Sequence, residues 1–88
     1  MIVMSLEDRS GRINHGSAVP LPVQVARDIE ADIDAGRLEP DTRLPSESEL
    51  SEQYGVARVT IRRAIEQLRS RAKVVTVHGR GTFVSPDA

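Results

Sequence analysis

Apolar residues recur along this chain with two different periods, and the change of period divides it. Val25, Ala26, Ile29 and Ile33 fall three and four apart, which makes one stripe of an α-helix. Pro20 and Pro22 punctuate its entry, with Pro22 in a first turn where a missing N–H costs nothing. Gly36 closes it at the position that favours a left-handed residue. Arg37 to Pro45 reads as a loop, with Pro40-Asp41 as its turn and Leu38 and Leu44 tucked under the domain as plugs. Ser46, followed three residues later by Glu49, is a capping box. It starts a second helix that buries Leu50 and Tyr54 and ends at Gly55. A third helix is predicted from about Ala57 to Arg71, with Ile61, Ala64, Ile65 and Leu68 as its buried stripe. The period then shortens. Val74-Val75-Thr76-Val77 and Thr82-Phe83-Val84 are β-rich runs joined by His78-Gly79-Arg80-Gly81, a hairpin with a glycine-rich, basic tip.

These elements predict a mostly α fold with a small β-hairpin: three helices plus a two-stranded wing, the winged form of helix-turn-helix. Residues 19–85 carry the domain, and 86–88 are a C-terminal end with no effector domain. Residues 1–18 mix charged, small and Gly/Ser residues without a usable period, so a flexible N-terminal tail is expected, with Arg9 and Arg12 inert or brushing phosphate.

Charge sharpens this picture. The net charge is −1 over 88 residues, but the average conceals a strong polarity. From Arg27 to Gln53 there are three basic residues against nine acidic; from Tyr54 to Ala88 there are seven basic against two. Salt screens charges beyond about 8–10 Å, so local sign governs an anionic partner more than the sum does. The acidic outer face of the first helix reads equally as a device that keeps it off DNA and as ordinary surface.

Composition excludes several classes. No cysteine is present, which removes disulfides and thiolate metal sites, and His15 and His78 lie far apart without co-ligands. No metal, cofactor or effector metabolite is therefore expected on this chain. No paired carboxylates, activated nucleophile or metal cluster can be assembled, so it is not expected to be an enzyme. No apolar stretch approaches the roughly 20 residues of a membrane span, and residues 1–18 lack the apolar block of a signal peptide. No membrane partner is expected, and a cytoplasmic, nucleoid-associated location is.

The third helix holds the candidate chemistry. It is aliphatic beneath and guanidinium-rich above, which suits insertion into the DNA major groove. An arginine fork donates two parallel hydrogen bonds to guanine or phosphate. Arg58, at the front of the helix, is the first candidate for base readout and Arg62, one turn later, the second. Thr60 lies between them for phosphate or a thymine methyl, and Val59 offers an apolar surface to the same groove. Arg63 is about 100° around from Arg62 and is assigned to the backbone or to Glu66, while Arg69 and Arg71 are assigned to solvated surface. In the wing, Arg80 is placed to enter the minor groove. Gly79 and Gly81 permit close backbone approach, and His78 can donate to phosphate. The same glycines equally serve a plain hairpin turn. Ser46 and the free amides of the second helix can meet phosphate; Glu47 opposes this with its carboxylate, and capping alone also explains Ser46.

The blocks LPSESEL, YGVARVTIRRAIEQL and VHGRGTFV, in this order and spacing, closely resemble the DNA-binding domain of the GntR family of bacterial transcription regulators. The resemblance covers about Pro20 to Val84. It implies a winged helix that binds double-stranded, palindromic operator DNA as a homodimer, and a transcription regulator of the repressor kind. A winged-helix adaptor that binds proteins and little or no DNA is the alternative. Several positions depart from the family pattern. Ser48 stands where an arginine that reaches DNA is frequent, and Ala57 where a hydroxyl residue is usual. Ala72-Lys73 replaces a glycine and a large aliphatic, so a less stable or differently shaped exit from helix three is expected, with Ala72 unable to relax into a left-handed cap and Lys73 misplacing a core position. Asp41 replaces a turn glycine, a milder change. Family members continue into a larger metabolite-binding, dimerising domain, so this sequence is expected to be either an isolated DNA-binding piece or a minimal regulator.

The whole functional reading assumes that the guanidinium side of helix three is free and points outward.

Overall fold

A computed structural model describes residues 8–87. Its helices are α1 (Leu21–Asp34), α2 (Glu47–Tyr54) and α3 (Arg58–Ser70), followed by the strands β1 (Val74–Val77) and β2 (Gly81–Val84). The strands pair antiparallel, Val74 opposite Val84 and Val77 opposite Gly81. The expected three helices and two-stranded wing are thus present.

One core holds them together. The α1 stripe Val25, Ala26, Ile29 and Ile33 meets the α3 stripe Ile61, Ala64, Ile65 and Leu68, all buried, with Leu50 and Tyr54 of α2 closing one side. Leu38 and Leu44 plug the loop side, and Val74 and Val84 anchor the base of the wing. Burial of this kind, at roughly 25 cal/mol per Å² of apolar surface, is the main force that orders so small a domain.

The α2–α3 turn is fixed by local chemistry. Ser46 Oγ accepts from the Glu49 amide at 3.1 Å, and the Ser46 amide donates to Glu49 Oε1 at 2.9 Å, so the capping box is complete. Gly55 ends α2 with φ +66°, where a side chain is strained. Ser51 clamps the turn: its carbonyl accepts the Gly55 and Val56 amides, and its hydroxyl donates to the Val56 carbonyl at 2.6 Å.

Three expectations need correction. Residues 1–7 lie outside the described part of the chain, but 8–18 do not behave as a tail. A 3₁₀ turn, Ser10–Arg12, packs behind the α2–α3 turn, Ile13 joins the core, and the Asn14 amide and carbonyl both bond the Gln24 side chain. Arg9, expected to be inert or near phosphate, is 3% exposed. Its guanidinium meets Asp28 and Asp32, each at 2.7 Å, and donates to the Tyr54 hydroxyl at 3.3 Å. The tail reading failed because an arginine between polar neighbours carries no periodic signal of burial.

The loop before α2 is the second correction. Arg43 bridges to Phe83, the Leu44 amide donates to the Thr82 carbonyl at 2.8 Å, and the Val84 amide to the Thr42 carbonyl at 2.7 Å. Residues 42–44 thereby extend the wing by a short third edge.

The third concerns the exit of α3. Ala72 does take the left-handed conformation, φ +60°, and the Lys73 amide reaches the Leu68 carbonyl at 2.9 Å as in a glycine-terminated helix. The shape of the exit is kept and its backbone cost remains. Lys73 is not misplaced either; its ammonium lies 2.9 Å from Asp34.

Candidate nucleic-acid interface

The start of α3 has no side-chain cap, because Ala57 lacks a hydroxyl. Its first turn stands clear of the domain. Arg58 is exposed, Val59 is 45% exposed beside it, and Thr60 is half-buried. Arg62 and Arg63 follow on the exposed side, over the aliphatic underside already described.

Neither leading arginine is left to wander. Arg58 Nη2 donates to Ser48 Oγ at 3.1 Å. Arg62 holds Glu47 through two bonds, Nε to Oε2 at 3.1 Å and Nη2 to Oε1 at 3.0 Å. The Glu47 carboxylate raises the Arg62 pKa above its ordinary value, through the hydrogen bond first and its charge second. The guanidinium face is exposed as expected, but neither leading arginine on it is free: Arg62 is held in a carboxylate pair and Arg58 by the Ser48 hydroxyl. Both members of that pair face solvent, where such pairs exchange readily with water and salt. The first turn of α2 thus supplies an anchor to each arginine, and sequence reasoning missed both anchors. Ser48 was read as an absent contact and Glu47 as an obstacle to phosphate.

Ser46, a candidate for phosphate, spends its acceptor on the cap; its O–H is left to donate. Glu47 and Glu49 in the same turn make the N-terminus of α2 more acidic than a bare helix end.

The wing tip holds His78, Gly79 and Arg80, all exposed, with the Arg80 amide closing the turn on the Val77 carbonyl at 2.9 Å. Gly79 looks onto open space, as close approach requires. Gly81 does not. A Cβ there would come within 2.8 Å of Arg43 Nε, so the room freed by this glycine is filled by another side chain.

The remaining basic residues depart from their sequence assignments. Arg69 Nη1 donates to Thr76 Oγ1 at 2.7 Å, and Thr76 in turn sits 3.1 Å from Thr82 Oγ1, so Arg69 ties α3 to the wing. Arg71 pairs with Glu30 of α1. Neither is merely solvated. Between α3, the start of α2 and the wing lies a cleft of about 380 Å³, lined by Arg43, Arg62 and Arg69 together with Glu47 and Glu66.

The acidic residues of α1 turn inward or toward basic partners. Asp32 is buried; burial raises its pKa, but the hydrogen bonds from Arg37 and Arg9 outweigh this and hold it below the ordinary carboxylate value. Asp28 takes Arg9, Arg12 and the Tyr54 hydroxyl, the last at 2.6 Å. Desolvation first, and Asp28 second, push the Tyr54 pKa well above its usual value. The acidic face is thus structural, which neither sequence reading of it anticipated.

Among the described residues no group of three or more His, Asp or Glu side chains is placed to hold a metal ion, and no helix is long and apolar enough to cross a membrane.

Comparison with known proteins points one way. Residues 21–84 match the family described as bacterial regulatory proteins, gntR family. The chain is 41% identical over 73 residues to the HTH-type transcriptional repressor NagR of Bacillus subtilis, covering 83% of this chain and 30% of that one. It is also 41% identical over 83 residues to the histidine utilization repressor of Pseudomonas aeruginosa, covering 92% and 33%. The chain therefore spans about a third of the length of these relatives. Among solved structures, AraR(DBD) in complex with operator ORE1 superposes with a TM-score of 0.75 at 40% identity, covering 83% of this chain and 89% of that one. The complex with operator ORX1 gives 0.73 at 43% identity, covering 76% and 81%.

Proposed function

This chain belongs to the gntR family of bacterial regulatory proteins, and from that premise we propose that it is the sequence-specific DNA-binding part of a transcription regulator, of the repressing kind. One observation carries the reading: the exposed first turn of α3, with Arg58, Val59 and Arg62 on a helix whose other side is fully buried. A helix so mounted fits the major groove, where an arginine fork spans guanine O6 and N7. The partner is double-stranded operator DNA.

In this proposal Arg58 reads a base edge directly. Its bond to the Ser48 hydroxyl is neutral on one side, and exchange for a guanine costs little. Arg62 must first leave Glu47. Val59 packs on a thymine methyl or sugar, and Thr60 and the Ser46 hydroxyl bond phosphate. The wing follows the adjacent minor groove with Arg80 at its floor, Gly79 against the backbone and His78 on phosphate. Gly81 acts by admitting the Arg43 side chain. Two copies on a palindromic operator place their α3 helices one turn of DNA apart, about 34–36 Å. In the cell the chain acts in the cytoplasm, on the nucleoid. The adaptor alternative drew on the acidic α1 and on the departures at Ser48 and Ala57; the acidic residues of α1 are occupied by internal partners, which removes the first of these supports and leaves the other two.

The test is a titration of a duplex selected from random DNA, followed at two salt concentrations. The expected log–log slope is near −0.9 per phosphate neutralised. Arg58→Ala should weaken the selected duplex by about 1–3 kcal/mol and relax preference at one base pair. An affinity indifferent to salt, or an Arg58→Ala, Arg62→Ala double variant that folds and binds unchanged, refutes the proposal.

A further inference from the structure

Arg43 lies outside every motif that points to DNA, yet its backbone is firmly placed on this face. Its backbone is fixed on both sides, by the Leu44 amide to the Thr82 carbonyl and the Val84 amide to the Thr42 carbonyl. Its side chain lies over Gly81, in the space a Cβ would fill, with Nε 2.8 Å and Cζ 3.5 Å from that position. The side chain is nonetheless exposed and has no hydrogen bond or ion pair among the described residues. Its neighbours around the cleft differ in this respect. Arg62 is held by Glu47 and Arg69 by Thr76, while Arg43 meets no acceptor.

A positioned guanidinium with unsatisfied donors, between a helix meant for the major groove and a wing meant for the minor groove, faces the sugar-phosphate ridge that separates the two. We propose that Arg43 binds a non-bridging phosphate oxygen of that ridge; Gly81, whose φ of +121° already favours glycine, also leaves the room in which the Arg43 side chain lies. The inference rests on the DNA-binding reading above. Arg43 then positions the domain on the duplex without reading sequence, because phosphates are alike at every step. Glu47 and Glu66 line the same cleft, and their carboxylates disfavour a small free anion drawn inside it.

The experiment uses the chain as it stands, with a selected duplex and a scrambled duplex of equal composition, each titrated by fluorescence anisotropy over a range of salt. Arg43→Gln should weaken both duplexes by the same factor, about tenfold, as one charge-assisted bond is worth. The salt slope should flatten by about 0.9, and Arg43→Lys should restore the slope. Melting of each variant shows that the fold is retained. If the wild-type chain binds neither duplex, the DNA reading itself fails. If the wild type binds with the expected slope and Arg43→Gln changes neither affinity nor slope, the inference alone fails. A loss confined to the selected duplex makes Arg43 a base contact and overturns the phosphate assignment. Saturable binding of inorganic phosphate to the DNA-free chain, lost in Arg43→Gln, overturns the assignment to duplex.

Discussion

Ala72 offers a clean measurement of backbone strain, because it is exposed and carries no charge. It holds φ at +60° to end α3. A left-handed residue with a Cβ costs about 1–2 kcal/mol relative to its ordinary conformations, and glycine avoids that cost. Glycine also gains freedom in the unfolded chain, which takes back about 0.4–1 kcal/mol. Ala72→Gly should therefore stabilise the domain by about 0.5–1 kcal/mol, the difference of the two. For a domain of this size each kcal/mol moves the midpoint by about 4–8 °C, so a rise of roughly 2–8 °C is expected. Thermal and urea unfolding followed by far-ultraviolet circular dichroism give both midpoint and slope. Ala72→Val, whose branched side chain tolerates this conformation worst, should move the midpoint the other way. The reasoning is refuted if Ala72→Gly leaves the midpoint unchanged or lowers it at constant urea slope, since no packing or charge has been altered.

Three further outcomes are expected. Glu47→Gln frees Arg62, so affinity for a scrambled duplex should rise more than affinity for a selected one, and their ratio, read from paired anisotropy titrations, should fall. Arg9→Met leaves Asp28 and the buried Asp32 short of a partner; breaking a buried pair in this way costs about 3 kcal/mol, to be measured by urea unfolding. Because Arg37 and Arg9 hold the Asp32 pKa low against burial, that stability is present above the ordinary carboxylate value of about 4 and is lost as pH falls through the lower, folded value. Tyr54 has the opposite sign: its folded pKa is raised by burial and Asp28, so stability falls as pH rises past about 10, where the unfolded phenol ionises. Melting midpoints across the pH range check both limbs.

The parts of this fold that were legible in sequence are those written as a period or as adjacent residues. The stripes of α1 and α3, the Ser46–Glu49 box and the two β-branched runs each declare themselves within one turn or one strand. What stayed hidden depends on contacts between distant segments. Nothing near Arg9 says that Asp28, Asp32 and Tyr54 will converge on it from two helices. Residues 42–44 hold a single apolar side chain, so their pairing with β2 leaves no alternation to read. Arg58, Val59 and Arg62 were legible as candidates, but their anchors on α2 were not, since Ser48 and Glu47 are brought to them by the turn at Gly55 rather than by spacing.

These hidden contacts change how the charge of the chain is understood. The acidic stretch from Arg27 to Gln53 and the basic stretch after Tyr54 are joined by a few specific pairs. Arg71 and Lys73 return to Glu30 and Asp34 on α1, and Arg62 returns to Glu47 on α2. Pairs of the first kind lie at the exit of α3, on the side that holds the domain together. The Arg62 pair lies at the entrance, on the side proposed to meet DNA, and its carboxylate engages the donors that a base or phosphate would need. Under the proposed function the exposed carboxylate biases the orientation of the guanidinium before DNA arrives, and the pair, open to water and salt, gives way to acceptors that match it better. If α3 enters DNA as proposed, this pair lowers weak attraction for any duplex while a well-matched site loses little, because matched acceptors replace both bonds to Glu47 at once. The near-zero net charge is then no argument against a DNA partner. Several of the acidic side chains that lower the sum are spent on pairs that hold the domain together, Asp28 and Asp32 on Arg9 and Glu30 on Arg71, so the sum does not report the sign of the α3 face.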